Sequence, residues 1–306
     1  MKPRRLLFTP FLALLLAATS SVSAETLKVL YFTKSSGYEH AVVRRGEQGA
    51  PSYSENVLMS LAKDHDLEFT FSKDGSLISA EYLAQFDVVF FYTSGYLQRV
   101  GRDGNPPMSP QGKQDLLEWV AEGNGFMAVH AGGDSFHSFE TMAGNPPQSA
   151  RMNRYRNNGE ASDSYIKMLG GEFINHGPQQ VATARVVDPK FPGFGDIGEA
   201  LHIQEEWYSL KDFSPLDHVL LVMETEGMEG SDYDRPDFPL AWAKPYGRGR
   251  VWYNGMGHRE DVWDSAAFQS MLVGAIEWAG KRVNADITPN IAEVTPGYQT
   301  MPPPRQ

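Results

Sequence analysis

No cysteine occurs among the 306 residues. That absence removes disulfides, thiol nucleophiles, cysteine–zinc sites and iron–sulfur clusters from consideration. Also missing are His-Glu-x-x-His, the phosphate-binding P-loop, Gly-x-Ser-x-Gly and Gly-x-Gly-x-x-Gly. Their absence argues against zinc proteases of that type, nucleotide hydrolases, serine esterases and dinucleotide-dependent enzymes. Basic residues are few, 27 against 38 acidic, for a net charge of −11. So acidic a chain repels nucleic acid and anionic lipid, whereas a neutral ligand is unaffected. No internal repeat is found, and no second long apolar run follows the first one.

That first run lies at the start. Lys2, Arg4 and Arg5 precede an apolar stretch, Leu6 to Thr19, and Val22-Ser23-Ala24 has the small-residue pattern of a cleavage site. The stretch is short for a membrane span, which needs roughly 20 residues. The expectation is a signal peptide over residues 1–24, cut before Glu25, and a periplasmic or secreted protein with no membrane attachment after cleavage. The mature chain would carry 24 basic and 38 acidic residues, a net −14. Its core then has to hold without disulfides, which a chain of this length can manage. Residues 286–306 contain Pro289, Pro296, Pro302, Pro303 and Pro304 without any apolar period. They are expected to be a disordered, extended surface tail. One α/β domain is expected over residues 25–285.

Within that domain short apolar runs alternate with amphipathic ones. Leu27–Thr33, Leu67–Ser72, Asp87–Thr93 and Gly125–His130 read as strands, the third and fourth fully buried. Glu55–Leu61, with Ser54 as its cap, and Ala80–Phe86 read as helices between them. Ser109-Pro110 opens a helix that Gly123 stops after Glu122. This alternation predicts a mostly parallel sheet flanked by helices on both faces. Further on, Val181–Val187 and His218–Glu224 read as strands, and Leu240–Lys244 with Arg250–Tyr253 as a hairpin turning at Gly247 and Gly249. Asp264–Gly280 reads as a closing helix. Phe136–Asp163 has no period, is rich in Asn, Arg, Gly and Pro, and is expected to be a mobile cover over the site. The acidic loop Glu229–Asp237 lacks calcium-loop spacing.

Ligands of open α/β sheets sit beyond the carboxyl ends of the strands. The segments there carry Lys34, Tyr38 and His40, then His130 and Asp134, then His176, then Glu206, Trp207 and Tyr208, then His258. His130 ends an apolar strand and precedes Ala-Gly-Gly-Asp. That resembles an elbow at which a strained turn lifts one side chain above the sheet. An imidazole there suits proton transfer. Glu206 among aromatics is expected to have a raised pKa. His130, His176, Glu206 and His258 are expected to converge on one pocket. His130, Glu206 and His258 are the candidate catalytic groups. Lys34, Tyr38, His40, Asp134, His176, Trp207 and Tyr208 are candidate substrate contacts. No organic cofactor is expected. Whether the histidines and carboxylates hold a divalent metal is left open.

Six ordered blocks, including VLYFTKSSGYEH, EGNGFMAVHAGGD, EEWYSL and FPLAWAKPYGRGRVWYNGMGH, make the chain resemble the ThuA-like family, named for trehalose utilisation. The resemblance spans nearly all of residues 27–280. It implies a three-layer fold similar to class I glutamine amidotransferases, and a role in sugar catabolism, including routes through 3-keto sugars. His130 stands where those amidotransferases have their cysteine, so glutamine hydrolysis is excluded. Two functions stay open: an enzyme acting on a saccharide or keto-saccharide by His/Glu acid–base chemistry, and a non-catalytic carbohydrate-binding or scaffold protein.

Overall fold

The computed structural model describes residues 26–138 and 152–305, so the expected leader lies outside the described residues. Eleven strands are described: β1 Leu27–Phe32, β2 Leu67–Ser72, β3 Val88–Phe91, β4 Gly125–Val129, β5 Glu172–His176, β6 Gln180–Val186, β7 Ala200–Glu205, β8 Tyr208–Lys211, β9 His218–Met223, β10 Phe238–Tyr246 and β11 Gly249–Asn254. Nine form one sheet in the order β2-β1-β3-β4-β11-β10-β9-β6-β7. The first five pair in parallel. From β11 outward each strand is antiparallel to its neighbour. Strands β5 and β8 form a separate antiparallel pair.

Alternation along each central strand explains why its sequence runs apolar without a break. Val29 and Tyr31 face one core while Leu30 and Phe32 face the other. Val88 and Phe90 against Val89 and Phe91, and Met127 and Val129 against Phe126 and Ala128, divide in the same way. A strand covered on both faces has no polar side to show. Helices α1 (Tyr53–Ala62) and α6 (Ala266–Ala279) cover the first face through Leu58, Phe268, Met271 and Leu272. On the second face lie α2 (Ala80–Leu83), α3 (Pro110–Ala121) and α4 (Ser164–Leu169), through Leu83, Leu116 and Ile166. Full burial of each such side chain stabilises by about 1.5–3 kcal/mol, and truncating Phe268 to Ala would cost roughly 3–5 kcal/mol.

Several expectations shift in detail. Ser109 caps α3 with Pro110 at its first position, as expected. Helix α1, however, is capped by Ser52, whose hydroxyl accepts from Glu55 N while the Glu55 carboxylate accepts from Ser52 N. Ser54 is instead buried and donates to Val42 O. The expected closing helix is α6, unbroken and capped by Ser265, and the short helix α5 (Glu260–Asp264) precedes it. Residues 286–305, expected to be disordered, carry the short helix α7 (Ile291–Val294) and dock on β9. Ile291 packs on Val219 and Val222, Asn290 Oδ1 accepts from Val219 N at 2.6 Å, and Tyr298 O accepts from Arg235. Of the expected cover, residues 139–151 lie outside the described residues. Its flanks are anchored: Phe136 is fully buried and Asn158 donates to Asp212. No helix among the described residues is long and apolar enough to cross a membrane.

Candidate functional site

Strand β4 delivers His130 to the rim of the sheet with φ at +43°, a region costly for a residue with a side chain. What holds it there is close packing of the following turn. Tyr253 Oη donates to His130 O at 2.9 Å, and a Cβ on Gly133 would lie 2.7 Å from that same hydroxyl. The expected elbow is therefore present, and the glycine is what lets the β11 tyrosine reach it.

The fully buried His130 ring has its Nδ1 3.0 Å from Gly255 O. A carbonyl only accepts, so Nδ1 carries the proton and Nε2 presents a lone pair. That lone pair faces Glu206 Oε2 at 3.3 Å. His258 Nδ1 lies 3.1 Å and His40 Nε2 3.9 Å from the same oxygen. His176 Nδ1 lies 3.4 Å from the other oxygen, Oε1. Although both atoms are buried, His130 Nε2 and His258 Nδ1 have no hydrogen-bond partner among the described residues.

Glu205, the last residue of β7, ties these segments together. Its Oε2 accepts from Gly257 N at 3.0 Å and His258 N at 3.1 Å, and its Oε1 accepts from Glu206 N. Burial pushes the Glu205 carboxyl up to about 7, against those backbone bonds. Glu206 behaves in the opposite way. Burial would raise it, but the imidazoles of His130, His258 and His40 packed around it hold it well below the usual carboxylate range. The expected rise at Glu206 is thus overturned, because the imidazoles outweigh desolvation. Burial lowers His130 to about 4 and lowers His40 as well. Near neutral pH the group therefore presents one carboxylate and at least two neutral imidazoles.

Such a donor set suits a divalent cation. One ligand atom from each of His40, His130, Glu206 and His258 lies within 4.8 Å of all the others. Zinc–ligand bonds of about 2.0 Å in a tetrahedron separate the ligand atoms by about 3.3 Å. Separations of 3.1, 3.3 and 3.9 Å from Glu206 Oε2 bracket that length.

His40, Glu206 and His258 form the floor of a cavity of about 530 Å³, walled by Tyr38, Asp134, Asn175, His176 and Tyr208, while His130 is fully buried and does not line it. Tyr208 lies between the His130 ring at 3.9 Å and the Phe173 ring at 4.0 Å. Tyr38, 57% exposed, stands at the mouth with its ring edge-on to His40. A second cavity of similar volume lies by the β10–β11 turn, lined by Phe213, Tyr246 and Tyr298 among others, and no histidine reaches it.

The structure brings together His130, His176, Glu206 and His258, with His40, Tyr38, Asp134 and Tyr208 around them. Two expected contacts fall elsewhere. Lys34 is buried behind the site, donating to Asn105 O at 2.7 Å and paired with Asp103. Trp207 points into the core and donates to Gln180 O. The sequence reading missed Glu205, Gln179 and His137. Gln179 contacts His258 Nε2 at 3.0 Å. His137 is the partner of Asp134, at 2.5 Å.

The fold has known counterparts. The chain matches the ThuA family, described as trehalose utilisation, over residues 28–279. No curated protein matches it. A ThuA-like protein from Bacteroides uniformis superposes with a TM-score of 0.59 at 18% identity, covering 86% of this chain and 95% of that one. Another, from Parabacteroides merdae, gives 0.56 at 17% identity, covering 92% and 98%. At such identities the likeness carries the fold alone, the mostly parallel, helix-flanked sheet of the glutamine-amidotransferase type. Because the family match spans most of the chain, the protein belongs to the ThuA family, a placement consistent with sugar catabolism.

Proposed function

We propose that this protein is an exported enzyme of sugar catabolism that acts on a saccharide or keto-saccharide by elimination, isomerisation or hydrolysis. Its site would hold a divalent cation on His40, His130, Glu206 and His258. The observation that carries this reading is the buried, unpartnered Nε2 of His130 aimed at an ionised carboxylate. Two acceptors facing each other in a buried site repel, and a shared cation removes the conflict. Such a cation, when bound, polarises a carbonyl or hydroxyl oxygen.

The remaining roles belong to the chain itself. His176 Nδ1 donates to Gly177 O at 2.9 Å, which leaves Nε2 as a proton acceptor on a partly exposed ring that lines the cavity. Tyr38, exposed at the mouth, offers an aromatic surface to the apolar face of a sugar ring, and Asn175 and Gln179 add polar edges. The acidic composition is indifferent to an uncharged sugar.

A thermal-shift screen of saccharides and keto-saccharides, with and without divalent cations, tests this reading. A true ligand at 100-fold its dissociation constant adds about 2.7 kcal/mol. In addition, His130→Asn should lose turnover while keeping sugar affinity. Sugar binding without turnover of any sugar would return the protein to a binding or scaffold role. No response to any sugar or cation would sink the proposal. Export is tested by the intact mass of the native protein, expected to begin at Glu25; a retained Met1 or Lys2 would refute it.

A further inference from the structure

A line of buried charge runs from the interior to the cavity wall and takes no part in the cation group. Asp134 Oδ1 lies 2.5 Å from His137 Nε2, and His137 Nδ1 lies 3.0 Å from Glu172 Oε1. Both ring nitrogens thus face carboxylates. The His137 ring is 1% exposed and the Glu172 side chain 0%. Glu172 also accepts from Ser138 N and Oγ and from Asn158 Nδ2, with Lys211 Nζ at 3.6 Å. It sits on β5, so the far end of the line is fixed to backbone in the second sheet.

The near end is fixed differently. Asp134 closes the turn that starts at His130, and its carbonyl accepts from Gly95 N at 2.7 Å. Its side chain keeps 17% exposure and lines the cavity beside Tyr208 and His176. Oδ1 is committed to His137, while Oδ2 has no partner among the described residues. An imidazole clamped between two carboxylates donates from both nitrogens only as the imidazolium, and charge-assisted bonds of that kind are short and directional. A carboxylate with one oxygen anchored, on a residue that lines the cavity, suits a hydroxyl donor.

We propose that His137, braced by Glu172, is a positioning residue that holds the Asp134 carboxylate toward the cavity, where Oδ2 accepts a hydrogen bond from a saccharide hydroxyl. The inference rests on the carbohydrate reading above and adds a recognition element to it. His137 touches no substrate; its effect passes through Asp134.

The test uses the full mature chain with trehalose as the probe. Calorimetric titration compares wild type, Asp134→Asn, His137→Gln and the double variant. Each single change should weaken trehalose binding about tenfold or more, the loss of one charge-assisted bond. The double variant should bind no more weakly than Asp134→Asn alone, because both changes remove one interaction. Wild-type affinity in His137→Gln, or losses that multiply in the double variant, would overturn the proposal. Should His137→Gln fail to fold, Glu172→Gln takes its place with the same expectations. Crystals of the His137→Gln or Glu172→Gln protein give a readout that needs no sugar. A carboxylate turned away from the cavity supports the positioning role, and one left in place refutes it. If wild type bound no trehalose while the carboxylate did turn, the hydrogen bond from a saccharide hydroxyl would be overturned and the positioning role would stand.

Discussion

Replacing Glu206 by glutamine should have effects of opposite sign on the metal-free and metal-loaded protein. Without a cation, His130 Nδ1 donates to Gly255 O, so its Nε2 lone pair faces the Glu206 carboxylate at 3.3 Å. A glutamine amide of the same shape places an N–H₂ group there and satisfies that buried nitrogen. One such bond contributes about 1 kcal/mol, roughly 2 °C in melting temperature for a chain of this size. The melting temperature in EDTA should therefore hold or rise by up to about 2 °C. With zinc at 100-fold its dissociation constant, wild type gains about 2.7 kcal/mol, or about 5 °C. Removing even an outer partner of a metal ligand costs 10–100-fold in affinity, so loss of the one anionic ligand should cost at least about 100-fold. At the same zinc concentration Glu206→Gln then gains at most about 0.4 kcal/mol, under about 1 °C. Differential scanning fluorimetry in EDTA and in zinc reads both effects. A Glu206→Gln protein that melts several degrees lower in EDTA, yet keeps the full zinc shift, would refute the reasoning at both steps.

Three further outcomes follow from the packing. Gly133→Ala puts a Cβ 2.7 Å from Tyr253 Oη, the group that holds the His130 carbonyl, and should cost about 1–3 kcal/mol in urea unfolding together with zinc affinity; unchanged values for both would dismiss the elbow's close packing. Burial would raise Glu172, but His137 and Lys211 hold it near 2, below the 4.5 of a free carboxyl, so its contribution is present above about pH 4.5 and is lost as pH falls toward 2. Burial would likewise lower His137, but Asp134 and Glu172 raise it to about 9, so its share is present below about pH 6.5 and is lost as pH rises through 9. Unfolding free energy against pH should show both limbs, and Glu172→Gln should flatten the acid one; an unaltered acid limb would count against the network. Arg305→Ala removes the partner of the buried Asp232 and the donor to His176 O, and should cost about 1–3 kcal/mol with faster amide exchange around residues 174–177; exchange identical to wild type would show that the tail does not brace the site.

The amino-acid sequence by itself determined the layers, the elbow and the excluded chemistries. A strand buried on both faces must be apolar at every position, so β3 and β4 announce themselves. Ser109-Pro110 marks a helix start through local backbone geometry alone. The absence of cysteine rules out thiol chemistry whatever the fold. Strands β5, β7 and β8 were not legible, because their mixed composition follows pairings set far away in the chain. Glu206 shows the same limit at the site. In a flat sheet β7 would stand five strand spacings from β4, about 24 Å away. The carboxylate reaches His130 only because the chain leaves β7 at Glu205 and crosses to β8 in the second sheet. That crossing also reverses the expected sign of its pKa. Desolvation is foreseeable from neighbouring aromatics, but the field of three imidazoles depends on distances between residues 40, 130, 206 and 258. For the same reason Lys34 found a different partner from the ligand expected. Which side chain a charge faces is a property of three-dimensional separation, and Coulomb energies fall with that separation rather than with position along the chain.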